Sequence, residues 1–143
     1  MYRIYLDNCC FNRPYDDQTN LLVQLETEAK LFIQQAILQK RCELIWSYIL
    51  DYENVVNPYY YRKQAISKWK KIAIFDADAS ETVIHYGKEI MLKGIKRKDA
   101  LHLACAIDGK CDYFLTTDKK LLRITLDEII VTSPIDFLKI LGL

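Results

Sequence analysis

Residues 98–118 read KDALHLACAIDGKCDYFLTTD and join a nearly uninterrupted apolar segment to a short strand that ends at an acid. Because almost every residue from Asp99 to Ile107 is apolar, we expect a helix that is buried on most of its sides. The β-forming residues Tyr113–Thr116 predict a strand after this helix. A buried helix followed by a strand is the repeating unit of an α/β protein.

The same alternation continues along the rest of the chain. The predicted strands are Met1–Asp7, Cys42–Trp46, Tyr113–Thr116 and Ile129–Val131. Six helices are predicted: one that contains Leu22–Ala36, one that follows Ser47, one over Tyr60–Lys71, one from Asp78 to near Gly94, one over Asp99–Ile107 and one that begins at Pro134. Strands that are separated by helices pair in parallel through right-handed crossovers. We therefore predict one domain over residues 1–143, an α/β fold with a three-layer α/β/α sandwich around a mostly parallel sheet of four to five strands.

Two of the helices carry specific local signals. The apolar residues Leu22, Leu25, Ala29, Phe32, Ile33 and Ala36 recur at helical spacing, which predicts a long amphipathic helix with these side chains on one face. Asp78, followed three residues later by Glu81, forms a capping-box pattern, and this pattern predicts a helix N-terminus at Asp78.

The composition limits the classes of protein to which the chain can belong. Hydrophobic residues make up 51% of the 143 residues and charged residues 27%, as in globular proteins rather than disordered or membrane ones. No apolar stretch reaches the roughly 18 residues that span a bilayer, and we identify no secretion signal, so we expect a cytoplasmic protein without membrane contact. A net charge of +1 means that any nucleic-acid binding has to come from local basic patches.

The cysteines and histidines do not form a recognisable metal-binding pattern. The five cysteines are Cys9, Cys10, Cys42, Cys105 and Cys111, an odd number without the paired two-residue spacing of zinc ribbons and redox sites. We therefore expect reduced thiols. A zinc site is disfavoured as well, because His85 and His102 lack a matched partner pair at ligand spacing.

Two acids follow predicted strands. Asp7 comes directly after Ile4–Leu6, and Asp118 follows the segment that ends at Thr117. Acids are common in the turns that end strands, so Asp7 can serve a turn as well as a site. Asp118 can instead cap the short helical turn that begins at Lys119.

Two further acids occupy unusual positions on predicted helices. Glu53 shares one helix face with Ile49, Tyr52 and Val56, whereas Asp51 lies on the opposite, solvated side. A buried carboxylate has to be paired, protonated or metal-bound, and a salt bridge to a lysine or arginine is the alternative to a metal. Asp99 lies in the first turn of the most apolar helix, where it can also act simply as a capping residue that complements the helix dipole.

Together the four acids predict a metal site at one edge of the sheet. Ligands of open α/β sheets bind beyond the carboxyl ends of the strands, where Asp7 and Asp118 are expected. Several carboxylates at close range repel one another and raise each other's pKa, and a divalent cation removes this penalty. Hard oxygen ligands without histidine or cysteine suit Mg²⁺ or Mn²⁺ better than Zn²⁺.

The chain resembles the PIN-domain ribonucleases, which include the toxin halves of bacterial toxin–antitoxin pairs. The resemblance spans nearly the whole chain and rests on Ile4–Cys10 with Phe11–Pro14, on Ser47 followed by Glu53 and Asn57-Pro58, on Lys98–Ala104, and on Asp112–Asp118. Each segment is short, but all four acids occur in the order and at the spacing of the family.

The resemblance implies a metal-dependent endoribonuclease that hydrolyses RNA phosphodiester bonds. It implies that Asp7, Glu53, Asp99 and Asp118 bind Mg²⁺ or Mn²⁺, and that Thr116 is a supporting polar residue of the catalytic site. Metal-activated water would attack in line and leave 3′-hydroxyl and 5′-phosphate ends. Toxin-type members commonly have a small hydroxyl residue directly after the first Asp, where this chain has Asn8, another candidate for the site. The resemblance further implies an RNA substrate, an antitoxin protein as partner, and a homodimer.

Two alternative functions come from the same residues. A non-catalytic PIN-fold module that binds RNA or protein would keep the fold without the chemistry, although the presence of all four acids argues against it. A phosphatase of the haloacid-dehalogenase type is suggested by Ile72–Asp78, a strand-like segment with two alternating acids. That chemistry needs its nucleophile on an early strand with further acids downstream, and the short remaining chain does not provide them.

Several other residues have two plausible roles each. Arg13, Lys96, Arg97, Lys98, Lys119 and Lys120 are candidates for phosphate contacts because they lie near the acids in sequence, although each can equally be a solvated cation. His102 can reach the site from Asp99, or it can be a hydrogen-bonded core histidine. Tyr59–Tyr61 and Trp69 can stack on bases, pack internally or cover a dimer surface.

Overall fold

The computed structural model describes residues 1–142 of the chain. The strands are β1 (Tyr2–Leu6), β2 (Cys42–Ser47), β3 (Phe75–Ala77), β4 (Tyr113–Leu115) and β5 (Ile130–Thr132). The helices are α1 (Asn8–Asn12), α2 (Leu21–Leu38), α3 (Tyr48–Val55), α4 (Tyr60–Ile72), α5 (Glu81–Met91), α6 (Arg97–Asp108) and α7 (Pro134–Ile140), with short 3₁₀ helices at Arg13–Tyr15 and Leu121–Arg123.

The five strands form one parallel sheet in the order β3-β2-β1-β4-β5. The chain moves outward from β1 to β3 on one side and then crosses to β4 and β5 on the other. The strand order therefore reverses between β1 and β4, and in open α/β sheets ligands bind beside such a point, at the carboxyl ends of the strands. Asp7 and Asp118 lie at this edge, as the sequence predicts.

Helices cover both faces of the sheet and complete the predicted α/β/α sandwich. α5 packs against α6 in one layer and α2 against α7 in the other, while α3 contacts both α4 and α6. The central strand β1 is sealed between these layers, with Ile4, Tyr5 and Leu6 completely buried. The prediction that α6 is buried on most sides is confirmed, since Ala100 and Leu103–Ala106 are also without exposed surface.

The predicted apolar face of α2 is only partly correct. Ala29, Ile33 and Ala36 are buried, but Leu22, Leu25 and Phe32 are exposed by 46%, 44% and 60%. The buried side of the helix also includes polar residues, namely Glu26, Thr27, Lys30 and Gln34. α2 carries apolar residues around most of its circumference, so their periodicity does not determine which part faces the sheet.

The predicted helix start at Asp78 is wrong by two residues. Ser80 caps α5, because its hydroxyl accepts a hydrogen bond from the Val83 amide at 3.2 Å. Glu81 is thus the first helical residue, and the capping-box spacing is a coincidence. The prediction that Asp51 is an ordinary solvated acid is also wrong, since this half-buried carboxylate accepts from Trp46 Nε1 at 2.9 Å and pairs with Lys70 at 3.0 Å.

Two further sequence expectations concern thiols and membrane spans. All five cysteines are free, and only Cys9 is not buried. None of the helices in residues 1–142 combines the length and the hydrophobicity that crossing a membrane requires.

Candidate active site

One cavity of about 400 Å³ lies beyond the carboxyl ends of β1 and β4 and contains all four predicted acids. Its lining consists of Asp7, Asn8, Cys9, Asn12, Asp16, Glu53, Asp99, His102 and Asp118. The acids come from four different elements: the end of β1, the middle of α3, the first turn of α6 and the loop after β4. Residues that are up to 111 positions apart in the chain therefore meet in one place.

Asp7 is the most enclosed of the four acids, with 6% of its surface exposed. Its Oδ1 accepts a hydrogen bond from the Asn8 amide at 2.8 Å and thereby caps α1. Its Oδ2 accepts from the Thr116 hydroxyl at 2.8 Å. Asp7 therefore occupies both the predicted turn and the predicted cavity, and Thr116 contacts one of its oxygens.

Asp118 is held to the same threonine through the backbone. Its amide donates to Thr116 Oγ1 at 3.1 Å, so one hydroxyl connects the ends of β1 and β4. Its Oδ1 accepts from the Lys120 amide at 2.8 Å. The predicted cap of a turn beginning at Lys119 is not found, because the 3₁₀ helix begins at Leu121 with Lys120 as its N-cap residue. The other carboxylate oxygen has no hydrogen-bond partner within residues 1–142.

Glu53 is held by a histidine and an asparagine rather than by a lysine or an arginine. Its Oε1 is in close hydrogen-bond contact with His102 Nε2, and its Oε2 accepts from Asn8 Nδ2 at 3.2 Å. Because a carboxylate only accepts, His102 Nε2 carries the proton of this contact. The alternative of a salt bridge to Lys or Arg is therefore not what the structure contains.

His102 is fixed from behind by a buried chain of hydroxyls. Its Nδ1 lies 2.5 Å from the Tyr5 hydroxyl, which lies 2.6 Å from Ser47 Oγ. The Tyr5 hydroxyl therefore links the His102 ring to Ser47 in one buried hydrogen-bond chain. Ser47 also caps α3 by accepting from the Leu50 amide at 3.2 Å. The two roles that the sequence left open for His102 are both realised, since it is buried and it contacts the site.

The effect of the shared cavity on its acids is seen in the pKa of Asp99. Burial raises the pKa of Asp99 above its ordinary value, and the charges of Asp7 and Asp118 raise it further. No side chain caps α6, because the N-cap position is occupied by Lys96 without a side-chain hydrogen bond. Asp99 lies inside the first turn and is therefore not the N-cap residue. Burial is the largest cause of the raised pKa, and repulsion from the neighbouring acids adds to it.

The carboxylates of the cavity are suitable ligands for a hard divalent cation, but they do not converge on one metal position. Carboxylate oxygens around one cavity are the ligands that Mg²⁺ and Mn²⁺ prefer. Within residues 1–142, however, no three His, Cys, Asp or Glu side chains are close enough together to hold a metal ion. Glu53 points to His102 and Asn8 instead. The donors therefore fit such an ion in kind and in place, and binding would require side-chain rotation.

Several residues that line the cavity were not predicted from the sequence. Asn12 and Asp16 line it, although they lie outside any predicted strand end. Asn12 Nδ2 donates to the Asn8 carbonyl at 3.0 Å, one turn back along α1. Arg13, a predicted phosphate contact, is instead paired with Glu26 and Asp16, each at 3.0 Å. The repeated Asn at positions 8 and 12, at helical spacing, is the signal that could have identified the second one.

Comparisons with known proteins bear on the fold. No family model matches the chain, and no curated protein matches its sequence. Among solved structures, the chain is similar to VapBC2 from Rickettsia felis, determined bound to a DNA fragment from its promoter. The similarity covers 92% of this chain and 98% of that chain, with a TM-score of 0.58 and 17% sequence identity. At this identity the likeness concerns the fold alone, and it confirms that the chain has the PIN-like α/β fold expected from the sequence.

Proposed function

We propose that the chain is a metal-dependent endoribonuclease that hydrolyses RNA phosphodiester bonds. The observation that carries the proposal is the meeting of Asp7, Glu53, Asp99 and Asp118 in one cavity at the switch point of the sheet. Repulsion among these acids, expressed in the raised pKa of Asp99, is a cost that a bound Mg²⁺ or Mn²⁺ would remove. Acids that are spread over a protein surface do not repel one another in this way.

The residues around the acids have defined tasks in this proposal. A bound divalent ion would supply an activated water and offset charge on the phosphate. Thr116 orients Asp7 through its hydroxyl, and Asn8 donates to both Asp7 and Glu53 from its backbone and side chain. His102 holds the second oxygen of Glu53. These hydrogen bonds hold Asp7 and Glu53 at the cavity, and Glu53 would rotate from its contacts with His102 and Asn8 to reach a bound ion.

We further propose a cytoplasmic toxin of a toxin–antitoxin pair, with an antitoxin protein as partner and a homodimeric assembly. Support comes from the toxin-type sequence resemblance and from the likeness in fold to VapBC2. The exposed leucines and phenylalanine of α2 are consistent with a protein interface.

A second candidate function is a non-catalytic PIN-fold module that binds RNA or protein. It is favoured by one observation, namely that no three potential ligands within residues 1–142 are already arranged around a metal position. In this alternative, the contacts of Glu53 with His102 and Asn8 are purely structural.

Cleavage of single-stranded RNA with Mn²⁺ and with EDTA distinguishes the two functions. We expect Mn²⁺-dependent cleavage by the wild type and a loss of at least about 100-fold in Asp7→Asn and in Asp118→Asn. Asp127→Asn, at an exposed acid outside the cavity, is the matched control and should retain full activity. Circular dichroism would verify that each variant is folded. A folded wild type that neither cleaves RNA nor binds Mn²⁺ in calorimetry would instead support the non-catalytic module.

A further inference from the structure

A second cavity, of about 550 Å³, adjoins the acidic one and shares two of its walls. Asp99 and Asp118 belong to both. The rest of the second lining comes from the loop before α6 and from the segment after β4, and consists of Lys93, Gly94, Ile95, Lys96, Lys119, Lys120, Leu121 and Ile124. We call the second cavity the lysine cleft, after Lys93, Lys96, Lys119 and Lys120.

The four lysines of the cleft are not neutralised by ion pairs. Within residues 1–142, none of them has a carboxylate oxygen within 4.0 Å of its ammonium group. Other cations of the chain are paired, as Lys70 is with Asp51 at 3.0 Å and Arg13 with Glu26 at 3.0 Å. The four lysines outnumber the two acids of the lining, Asp99 and Asp118, so the cleft has an excess of positive charge that would attract an anion.

The backbone adds to the positive character of the lysine cleft. α6 is a helix of 12 residues whose N-cap, Lys96, lies in the cleft and makes no side-chain capping hydrogen bond. The N-terminus of a helix carries a partial positive charge from its unbonded amides. In addition, the apolar side chains of Ile95, Leu121 and Ile124 line the cleft between the lysines. Cationic groups around an apolar surface suit a ligand with both charged and uncharged parts.

We propose that the lysine cleft binds backbone phosphates of an RNA strand on one side of the bond that is cut. The identity of this anion rests on the nuclease function proposed above, and the cleft deepens that function by giving the strand a direction. Asp99 and Asp118 form the shared wall, so a strand leaving the acidic cavity past this wall enters a region of opposite charge. The sequence identified Lys96, Lys119 and Lys120 individually, whereas Lys93 joins them only through the fold.

The test measures RNA binding without catalysis. The anisotropy of a short fluorescein-labelled single-stranded RNA would be titrated in EDTA at several NaCl concentrations with wild type, Lys119→Gln/Lys120→Gln and Lys93→Gln/Lys96→Gln. The matched control is Lys40→Gln/Lys110→Gln, which removes two exposed lysines that precede β2 and β4 at the opposite edge of the sheet. We expect each cleft variant to bind about tenfold more weakly, with a salt slope reduced by about 0.7 for each lost phosphate contact. The control should bind as the wild type does.

The outcomes separate this inference from the nuclease function. Cleft variants with the affinity and salt slope of the control would overturn the lysine cleft as a phosphate site, and so would a wild type that does not bind RNA in EDTA. Weakened, less salt-dependent binding in the cleft variants would support it. Because cleavage is assayed separately with Mn²⁺, an inactive protein with a functional cleft and an active protein without one give different results.

Discussion

At the scale of single residues, a buried chain of hydrogen bonds runs behind Glu53 through His102, Tyr5 and Ser47. Of the apolar face that the sequence predicts around Glu53, Ile49 is buried, but Tyr52 and Val56 are exposed. The Glu53 carboxylate is only half-buried, and His102 and Asn8 hold its two oxygens. The hydrogen bond of the Tyr5 hydroxyl to Nδ1 fixes the ring of His102 with Nε2 directed at Glu53. Hydrogen bonds of this kind set the orientation of a ligand carboxylate, and their loss in metal sites typically costs 10–100-fold in affinity or activity.

Two amide variants of His102 separate the contacts of its two ring nitrogens. In His102→Gln the amide nitrogen lies near the position of Nε2 and can still donate to Glu53, whereas in His102→Asn it lies near Nδ1 and cannot reach Glu53. We expect the Mn²⁺ concentration for half-maximal RNA cleavage to rise about 10–100-fold in His102→Asn and only a few-fold in His102→Gln. Thermal unfolding of both variants provides the control for overall stability. Equal Mn²⁺ requirements in the two variants at equal stability would contradict a positioning role.

At the scale of an element, α2 buries several polar side chains and exposes several apolar ones. Lys30 lies inside with 7% of its surface exposed, and the nearest aromatic ring, that of Phe11, is 6.0 Å from its ammonium group. Beside it, Thr27 Oγ1 and Gln34 Nε2 have no hydrogen-bond partner within residues 1–142. Burial lowers the pKa of Lys30 to about 8. Lys30 and these two unpaired polar groups therefore reduce the stability that the buried Ile33 and Ala36 provide on the same side of α2.

Replacing Lys30 by methionine should stabilise the protein in a pH-dependent way. The unfolded chain binds the lysine proton more tightly than the folded one, so the stability of the wild type rises with pH between about 8 and 10.5. Below that window Lys30→Met should be more stable by at most about 3 kcal/mol, and the advantage should disappear above it. Urea unfolding of both proteins at pH 7 and pH 10 measures this, with Lys68→Met at an exposed position as control. The same advantage at both pH values would contradict the assignment.

Individual helices and strands show what could and could not be predicted from the sequence. Alternating strand and helix patterns predicted four of the five strands of the parallel sheet, because each period is a local property. The edge strand β3 has only three residues, Phe75–Ala77, and was not among the predicted strands. The inward side of α2 was predicted only in part, since leucines at 22 and 25 and Phe32 are as apolar as the buried Ile33 and Ala36. The start of α5 was misplaced because Asp78 and Ser80 are both good N-cap residues, and the hydrogen bond to Val83 selects Ser80.

At the scale of the whole molecule, the four acids could be predicted to converge because parallel strands end at one edge. The rest of the cavity could not, since it depends on where separate elements pack. Asn12 enters it from the last residue of α1 and Asp16 from the segment after the following 3₁₀ helix. Tyr5 contacts His102 from the central strand. Lys93 likewise belongs to the cleft only because the loop before α6 lies beside the loop after β4.

Four acids gathered by the whole fold should make its stability depend on divalent ions. Mn²⁺ that binds only the folded state adds about 2.7 kcal/mol at 100 times its dissociation constant, which raises the melting temperature by several degrees. In EDTA, Asp99→Asn should melt above the wild type because one repelling charge is gone, and its Mn²⁺-induced rise should be less than half as large. Asp127→Asn, at an exposed acid away from the cavity, should respond as the wild type does. Differential scanning calorimetry with and without Mn²⁺ measures all three proteins. A wild type that melts at the same temperature in EDTA and in excess Mn²⁺ would exclude a divalent site among these carboxylates, and the repulsion at Asp99 would then be an uncompensated cost of the fold.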